Sequence, residues 1–199
     1  MRNTRKIHWL TQLALLIAIE LVMWQTPLGY LRTPVLNVSF LTVPVAIGGM
    51  LLGPSAGAVL GTVFGFTSLA DTFIAGGMKA ILFGINPFGC VVVTVVARVL
   101  CGWLSAVIFA GLNKLFKGGT AAYALGALSC PLLNTVFFMG FIMLFYYNSD
   151  YIQGIQQTLG VGNPISLILA MVGLQGAIEL VVCGMLATII TQTLKRYVK

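Results

Sequence analysis

The stretch VPVAIGGMLLGPSAGAVLGTVFGFTSLA, Val43–Ala70, contains no charged side chain and is interrupted only by Gly53-Pro54. Each half is continuously apolar rather than alternating, the pattern of a segment buried on every side and not of a half-exposed strand. Gly-Pro marks a turn, with the proline pre-set for the first position of a new helix. The stretch therefore reads as two helices joined by a tight hairpin, within a solvent that tolerates an unbroken apolar surface. In a bilayer only helices or closed barrels satisfy their backbone groups, and the lack of alternation excludes the barrel.

The same texture continues in both directions. Six apolar stretches can be read: Ile7 to about Gln25, about Val35 to Leu52, Ser55 to Ala75, about Pro87 to Leu112, Thr120 to Tyr147, and Ile165 to Leu194. At about 1.5 Å per residue each suits a hydrocarbon core of roughly 30 Å. The breaks carry turn chemistry: Thr26-Pro27-Leu28-Gly29, Gly53-Pro54, Gly76-Gly77, Lys117-Gly118-Gly119 and Gly162-Asn163-Pro164. The expected fold is an all-α integral membrane protein, with residues 1–199 forming a single six-helix transmembrane domain. Arg2, Arg5 and Lys6 before the first stretch imitate a signal peptide. That stretch is too long for an h-region, and Trp24-Gln25-Thr26-Pro27 is no cleavage site, so it reads as a retained helix.

Composition agrees with the bilayer. Of 199 residues, 59% are hydrophobic and 8% charged, and 11 basic with 4 acidic side chains cannot cover a soluble globule of this size in water. The +7 net charge sits in short clusters between apolar stretches rather than in one stripe, which excludes nucleic acid as a partner. Six spans put both termini on one side. Arg2, Arg5, Lys6, Lys114, Lys117, Lys195, Arg196 and Lys199 then share a face, which the positive-inside rule makes cytoplasmic. The longest loops, Thr26–Pro34, Ala75–Asn86 and Asn148–Pro164, fall on the outer face, where binding residues gather on a rigid scaffold.

Several chemistries are not expected. His8 is the single histidine and lies at a membrane edge, so neither a Ser-His-Asp triad nor a histidine-ligated metal site can be assembled. Cys90, Cys101, Cys130 and Cys183 are dispersed through apolar helices and read as small buried hydrophobes. No G-x-x-x-x-G-K-[ST] loop is present to bind nucleotide phosphates. The chain reads as a non-enzyme with no metal and no cofactor.

A charge within a span costs several kcal/mol and is by default a functional hypothesis. Glu20, Arg98 and Glu179 are the three. Counting helical rise from the outer end, Glu20 lies about 8 Å deep, Arg98 and Gln175 about 15 Å, and Asn134 and Glu179 about 20 Å. Polar groups from different helices thus share the outer half of the bundle, which describes a pocket rather than a pore. Arg98 either forms a structural ion pair with Glu179 or Glu20, helped by carbonyl capping, or offers its planar fork to a ligand carboxylate. Glu179 is a helix tie or a ligand-hydroxyl acceptor. Asn134, just after Pro131, is interhelical glue or a ligand contact. Asn86 caps the fourth helix or reaches the ligand. Tyr146, Tyr147 and Tyr151 read as an interfacial belt, with a lid as the alternative. Ala14 and Ala18, one turn apart, permit close approach of another helix.

Taken together, these features resemble the substrate-binding S components of energy-coupling factor (ECF) vitamin transporters, and the resemblance runs through most of the chain. It is strongest in Val43–Gly61 and its continuation Phe64-Gly65-Phe66-Thr67-Ser68-Leu69, which looks like the second-to-third helix signature of the pantothenate-type branch. Ala97-Arg98-Val99-Leu100-Cys101-Gly102 is similar to that branch's Pro-Arg-Ile-Leu-Val-Gly, with alanine in place of the proline, and Leu133-Asn134-Thr135-Val136 matches its Asn-Thr. The resemblance implies a high-affinity vitamin receptor of the cell membrane, loaded from outside. It would dock through Ala14 and Ala18 on a transmembrane coupling (T) protein, with two cytoplasmic ATPases supplying the energy. For pantothenate, Arg98, Asn134, Gln175, Glu179 and Asn86 are the substrate-binding candidates. Riboflavin, folate or a precursor are the alternative ligands, and a self-sufficient facilitator or a structural membrane protein the alternative classes.

Overall fold

The computed structural model describes residues 2–32 and 37–195. Val35, the expected start of the second span, Pro34, and the basic residues Arg196 and Lys199 lie outside the described residues. The elements in chain order are α1 (Arg2–Gln25), strands β1 (Tyr30–Arg32) and β2 (Asn37–Ser39), α2 (Thr42–Leu52), α3 (Pro54–Ile74), α4 (Met78–Ile85), α5 (Pro87–Val91), a π-helical turn (Val92–Val96), α6 (Ala97–Leu115), α7 (Thr120–Tyr146), α8 (Asp150–Leu159) and α9 (Pro164–Leu194).

Among the described residues, five helical segments are long and apolar enough to cross a membrane: Thr4–Gln25, Pro54–Ile74, Pro87–Leu115, Thr120–Tyr146 and Pro164–Leu194. They match five of the six expected stretches to within a few residues. The second stretch differs. Only Thr42–Leu52 is helical, 11 residues or about 16 Å, half of a hydrocarbon core. The residues before it form β2, which pairs antiparallel with β1 in the register Tyr30↔Ser39, Leu31↔Val38 and Arg32↔Asn37. The physical reason lies in the surroundings of α2. Thr42 through Met50 are all buried, and α2 contacts α1, α3, α6, α7 and α9. Wrapped by protein rather than lipid, a short helix exposes no unpaired backbone to hydrocarbon.

Two of the expected loops are helices as well. Ala75–Asn86 holds α4, and Asn148–Pro164 holds α8, whose first turn is capped when the Ile152 N–H donates to Ser149 Oγ (3.4 Å). It ends at Gly160 with φ 64°, the left-handed conformation that glycine adopts without penalty. At 8 and 10 residues neither is long enough to span. Tyr146 also departs from expectation. It is not in an interfacial belt but fully buried, its hydroxyl donating to the Asn86 carbonyl and so tying α7 to the start of α5.

The main core surrounds α2, with Val45, Leu60, Phe64, Phe109, Tyr123 and Ala127 among its buried members. A second cluster, including Leu82, Val93, Ile142, Tyr146, Ile152 and Leu167, lies under α4 and α8. Helix α3 meets α6 without side chains between them. A Cβ at Gly57 would strike the Gly102 carbonyl, one at Gly61 the Arg98 carbonyl, and one at Gly65 the backbone of Val95. As α3 rises the α6 partner descends, so the helices are antiparallel and the α2–α3 turn shares an end of the bundle with the α6–α7 turn. The Trp9 indole N–H donates to the Leu52 carbonyl (3.0 Å), and Lys195 Nζ donates to the Gly118 carbonyl (3.2 Å), which brings the described ends of the chain to that same end.

Gly102→Val is expected to hold α3 and α6 apart and to destabilise the protein by about 2–3 kcal/mol or more, as overpacking against backbone does. Gly140→Ala, where an added Cβ meets nothing within 4 Å, should change stability by no more than about 1 kcal/mol. Thermal melting in detergent compares the two.

Candidate functional site

The composite segment α5–π–α6 places Arg98. It starts at Asn86, whose Oδ1 accepts the Gly89 N–H (3.1 Å) as an N-cap, and Pro87 occupies the first helical position. The π turn Val92–Val96 then interrupts the α geometry immediately before Arg98. Such turns recur at functional sites, and here the Val93 carbonyl accepts a hydrogen bond from Arg98 Nη1–H. The guanidinium lies over two aromatic rings, 5.3 Å from the centroid of Phe64 on α3 and 4.6 Å from that of Phe138 on α7. These contacts offset part of the cost of burying a cation. Arg98 Nε has no partner, and among the described residues no ion pair joins Arg98 to an acid.

Other polar side chains are withdrawn from solvent as well as Arg98, which is 6% exposed: Glu20 is 0% exposed, Glu179 4% and Asn134 8%. Glu179, on α9, is within electrostatic or hydrogen-bonding reach of the Ser39 backbone, Arg98 and Asn134. Both carboxyl oxygens of Glu20, Glu179 Oε1 and Asn134 Oδ1 lack a hydrogen-bond partner. Buried polar atoms are paired in the great majority of cases, so several unpaired ones in one region demand an explanation. The thiols supply no strong partner. Cys101 and Cys130 approach each other at 3.7 Å between Sγ atoms, Cys130 Sγ turns to the Thr42 carbonyl (3.6 Å) and Cys183 Sγ to the Ser39 carbonyl (3.6 Å). All four cysteines are free and buried.

Of the residues expected at the site, Arg98, Asn134 and Glu179 come together. Gln175 is half-buried one turn before Glu179 on α9. Asn86 stands apart, at the cap of α5. Ala14 and Ala18 are exposed, on the face of α1 turned away from the bundle, while Leu13 and Glu20 face inward. Sequence reasoning missed the aromatic rings flanking Arg98, for Phe64 and Phe138 are ordinary residues in apolar runs. It also missed the ion pair between Lys79 Nζ and Asp71 Oδ2 (2.8 Å), where Lys79 further donates to the Ser68 carbonyl (3.3 Å) and lies 5.6 Å from the Tyr30 ring centroid. Opposite charges eight positions apart were the available signal. Two apolar grooves of about 200 and 210 Å³ run along α7 and α9, one past Leu132, Ile168 and Gly176, the other past Leu128, Gly184 and Ile189. Neither includes a residue of the polar cluster.

Long apolar helices around a buried, incompletely paired polar cluster define a helical integral membrane protein with an internal polar site. A family model described as the substrate-specific component of ECF transporters matches residues 8–191, and the chain belongs to that family. No curated protein matches it. Membership makes the chain a substrate-binding transporter subunit rather than an enzyme, working with a membrane T component and ATPases on a small-molecule substrate.

Because no acid is paired with Arg98, Arg98→Met should cost the ligand-free protein no more than about 1–2 kcal/mol in thermal unfolding. Breaking a true buried ion pair costs about 3–5 kcal/mol, and a loss of that size would assign Arg98 a structural role.

Proposed function

We propose that the chain captures pantothenate at the outer face of the cell membrane and hands it to the T component, the chemical work of transport being done by two ATPases in trans. The observation that carries this reading is a buried guanidinium held by aromatic rings and one carbonyl, with Nε unpaired and no acid salt-bridged to it. A planar fork with an unused donor suits a carboxylate, which accepts two parallel hydrogen bonds from it. Pantothenate has one carboxylate together with hydroxyls and an amide. Glu179 is an acceptor for a ligand donor, Asn134 can accept or donate, and Gln175 follows on the same helix. Asn86, engaged as a cap, contributes through the backbone position it fixes at the entrance to α5. A neutral flavin gives the buried cation no counter-charge.

In this reading residues 1–199 form a single substrate-binding domain that crosses the membrane six times, α2 completing the second crossing together with the hairpin that precedes it. Both termini are cytoplasmic. The basic residues Arg5, Lys6, Lys114, Lys117 and Lys195 at one end of the bundle support that orientation by the positive-inside rule. The exposed face carrying Ala14 and Ala18 is the docking surface for the T protein, since helices associating in lipid gain from close van der Waals contact that small side chains permit.

Equilibrium binding of labelled pantothenate to the purified chain tests the ligand. Tight one-to-one binding is expected without any partner, with Arg98→Lys at least tenfold weaker and pantothenol, an alcohol in place of the acid, weaker still. Equal affinity for pantothenol and pantothenate would remove the charge argument and return riboflavin, folate or a precursor to the front. Transport by the chain alone in liposomes would instead make it a facilitator.

The docking surface has its own test. Leucine at both Ala14 and Ala18 should leave binding by the isolated protein intact and lower uptake by the complete transporter severalfold. Unchanged uptake would move the interface elsewhere.

A further inference from the structure

Glu20 has no role in the reading above, and its surroundings ask for one. It sits on the inward stripe of α1, in register with the buried Leu13 and the partly buried Leu16, Ile17, Met23 and Trp24 that pack on the main core. The stripe is otherwise apolar. A methionine would fill the same volume without the cost of withdrawing a carboxyl group from water, yet the position holds a carboxyl group that is fully buried and has neither oxygen paired. It does not serve as a helix tie, because among the described residues nothing is tied to it.

The groups nearest to it in electrostatic terms give the direction. Cys130 on α7 is within electrostatic reach of both Glu20 and Glu179, and Glu179 is within reach of Arg98. The polar groups therefore step from the guanidinium through Glu179 and past Cys130 to α1. Cys130 itself is engaged with the Thr42 carbonyl and Cys101. Glu20 is thus linked to the guanidinium through Cys130 and Glu179, a pair of acceptor oxygens on α1 and a cation on α6 within one set of buried polar groups.

We propose that Glu20 is a specificity-determining ligand contact, its carboxyl oxygens receiving hydrogen bonds from hydroxyl groups at the end of the ligand remote from the carboxylate that Arg98 holds. The inference rests on the proposed function and deepens it: the substrate class is a hydroxylated acid, carrying its acid at one end and its hydroxyls at the other. A site built to hydrogen-bond a hydroxyl discriminates strongly against an analogue that lacks it, because its own buried polar atoms are then left unpaired.

The test uses the purified full-length chain, as wild type, Glu20→Gln and Glu20→Met, titrated with pantothenate and with an analogue in which both hydroxyls are replaced by hydrogen. Pantothenate should bind each variant at least tenfold more weakly than wild type. The analogue should bind wild type weakly and lose nothing further in Glu20→Met, the non-additivity of two partners in one contact. The ligand-free melting temperature of Glu20→Met should rise, since an unpaired buried carboxyl group is removed. Variants that bind pantothenate as tightly as wild type overturn the contact while leaving the proposed function standing. A fall in the ligand-free melting temperature of both variants also overturns it, by making Glu20 a structural group. Wild-type protein that binds no pantothenate overturns the proposed function itself.

Discussion

Hydrocarbon offers a polar atom nothing to bond with, and each feature of this molecule answers to that constraint. The backbone meets it by forming helices. Where the chain abandons the long helix, between α1 and α2, strands pair with each other and the short α2 is enclosed by five neighbouring helices. Side chains meet the constraint in most places by being apolar. Where they do not, as at Glu20, Arg98, Asn134 and Glu179, the polar atoms are collected in the interior and left partly unpaired. That arrangement lowers stability, and a binding site is the circumstance in which such a loss is recovered when the ligand arrives.

Glycine contacts and the π turn cooperate in placing Arg98. The close approach at Gly57, Gly61 and Gly65 draws the backbone of α3 onto α6 and the π turn before it at successive turns, with Gly61 directly against the Arg98 carbonyl. Phe64, one turn beyond Gly61, is thereby carried to the guanidinium. The π turn begins six residues before Arg98 and presents the Val93 carbonyl to Nη1. Backbone geometry, rather than an acid partner, holds the cation, which leaves the Nε donor for something else.

Much of this was legible in the sequence and the remainder had physical reasons to be hidden. Five long helices were readable because their apolar runs are uninterrupted, long enough to span and bounded by Gly, Pro and Asn. The second stretch read as a full-length helix because hydropathy reports the polarity of a residue's surroundings and cannot distinguish lipid from protein; Val43–Met50 is buried by helices. β1 and β2 are three residues each, below the length at which alternation can be seen, and α4 and α8 are too short to stand out by periodicity. At the site, Arg98 and Glu179 were legible because charges are rare in spans. The aromatic faces flanking Arg98, the π turn and the Lys79–Asp71 pair depend on distances between helices, which no linear pattern encodes. The interfacial reading of Tyr146 failed because a tyrosine at a helix end satisfies its hydroxyl equally well on a buried carbonyl.

The central claim is that the polar cluster is a ligand site whose cation was left unpaired for an acid. A structure of the protein with pantothenate bound measures this most directly. The account requires the ligand carboxylate on Arg98, with an oxygen about 2.7–2.9 Å from Nε, and the remainder of the molecule lying toward Glu179. Ligand seated in a groove along α7 and α9, or in the interior with Arg98 turned instead onto Glu179 or Glu20, would contradict it.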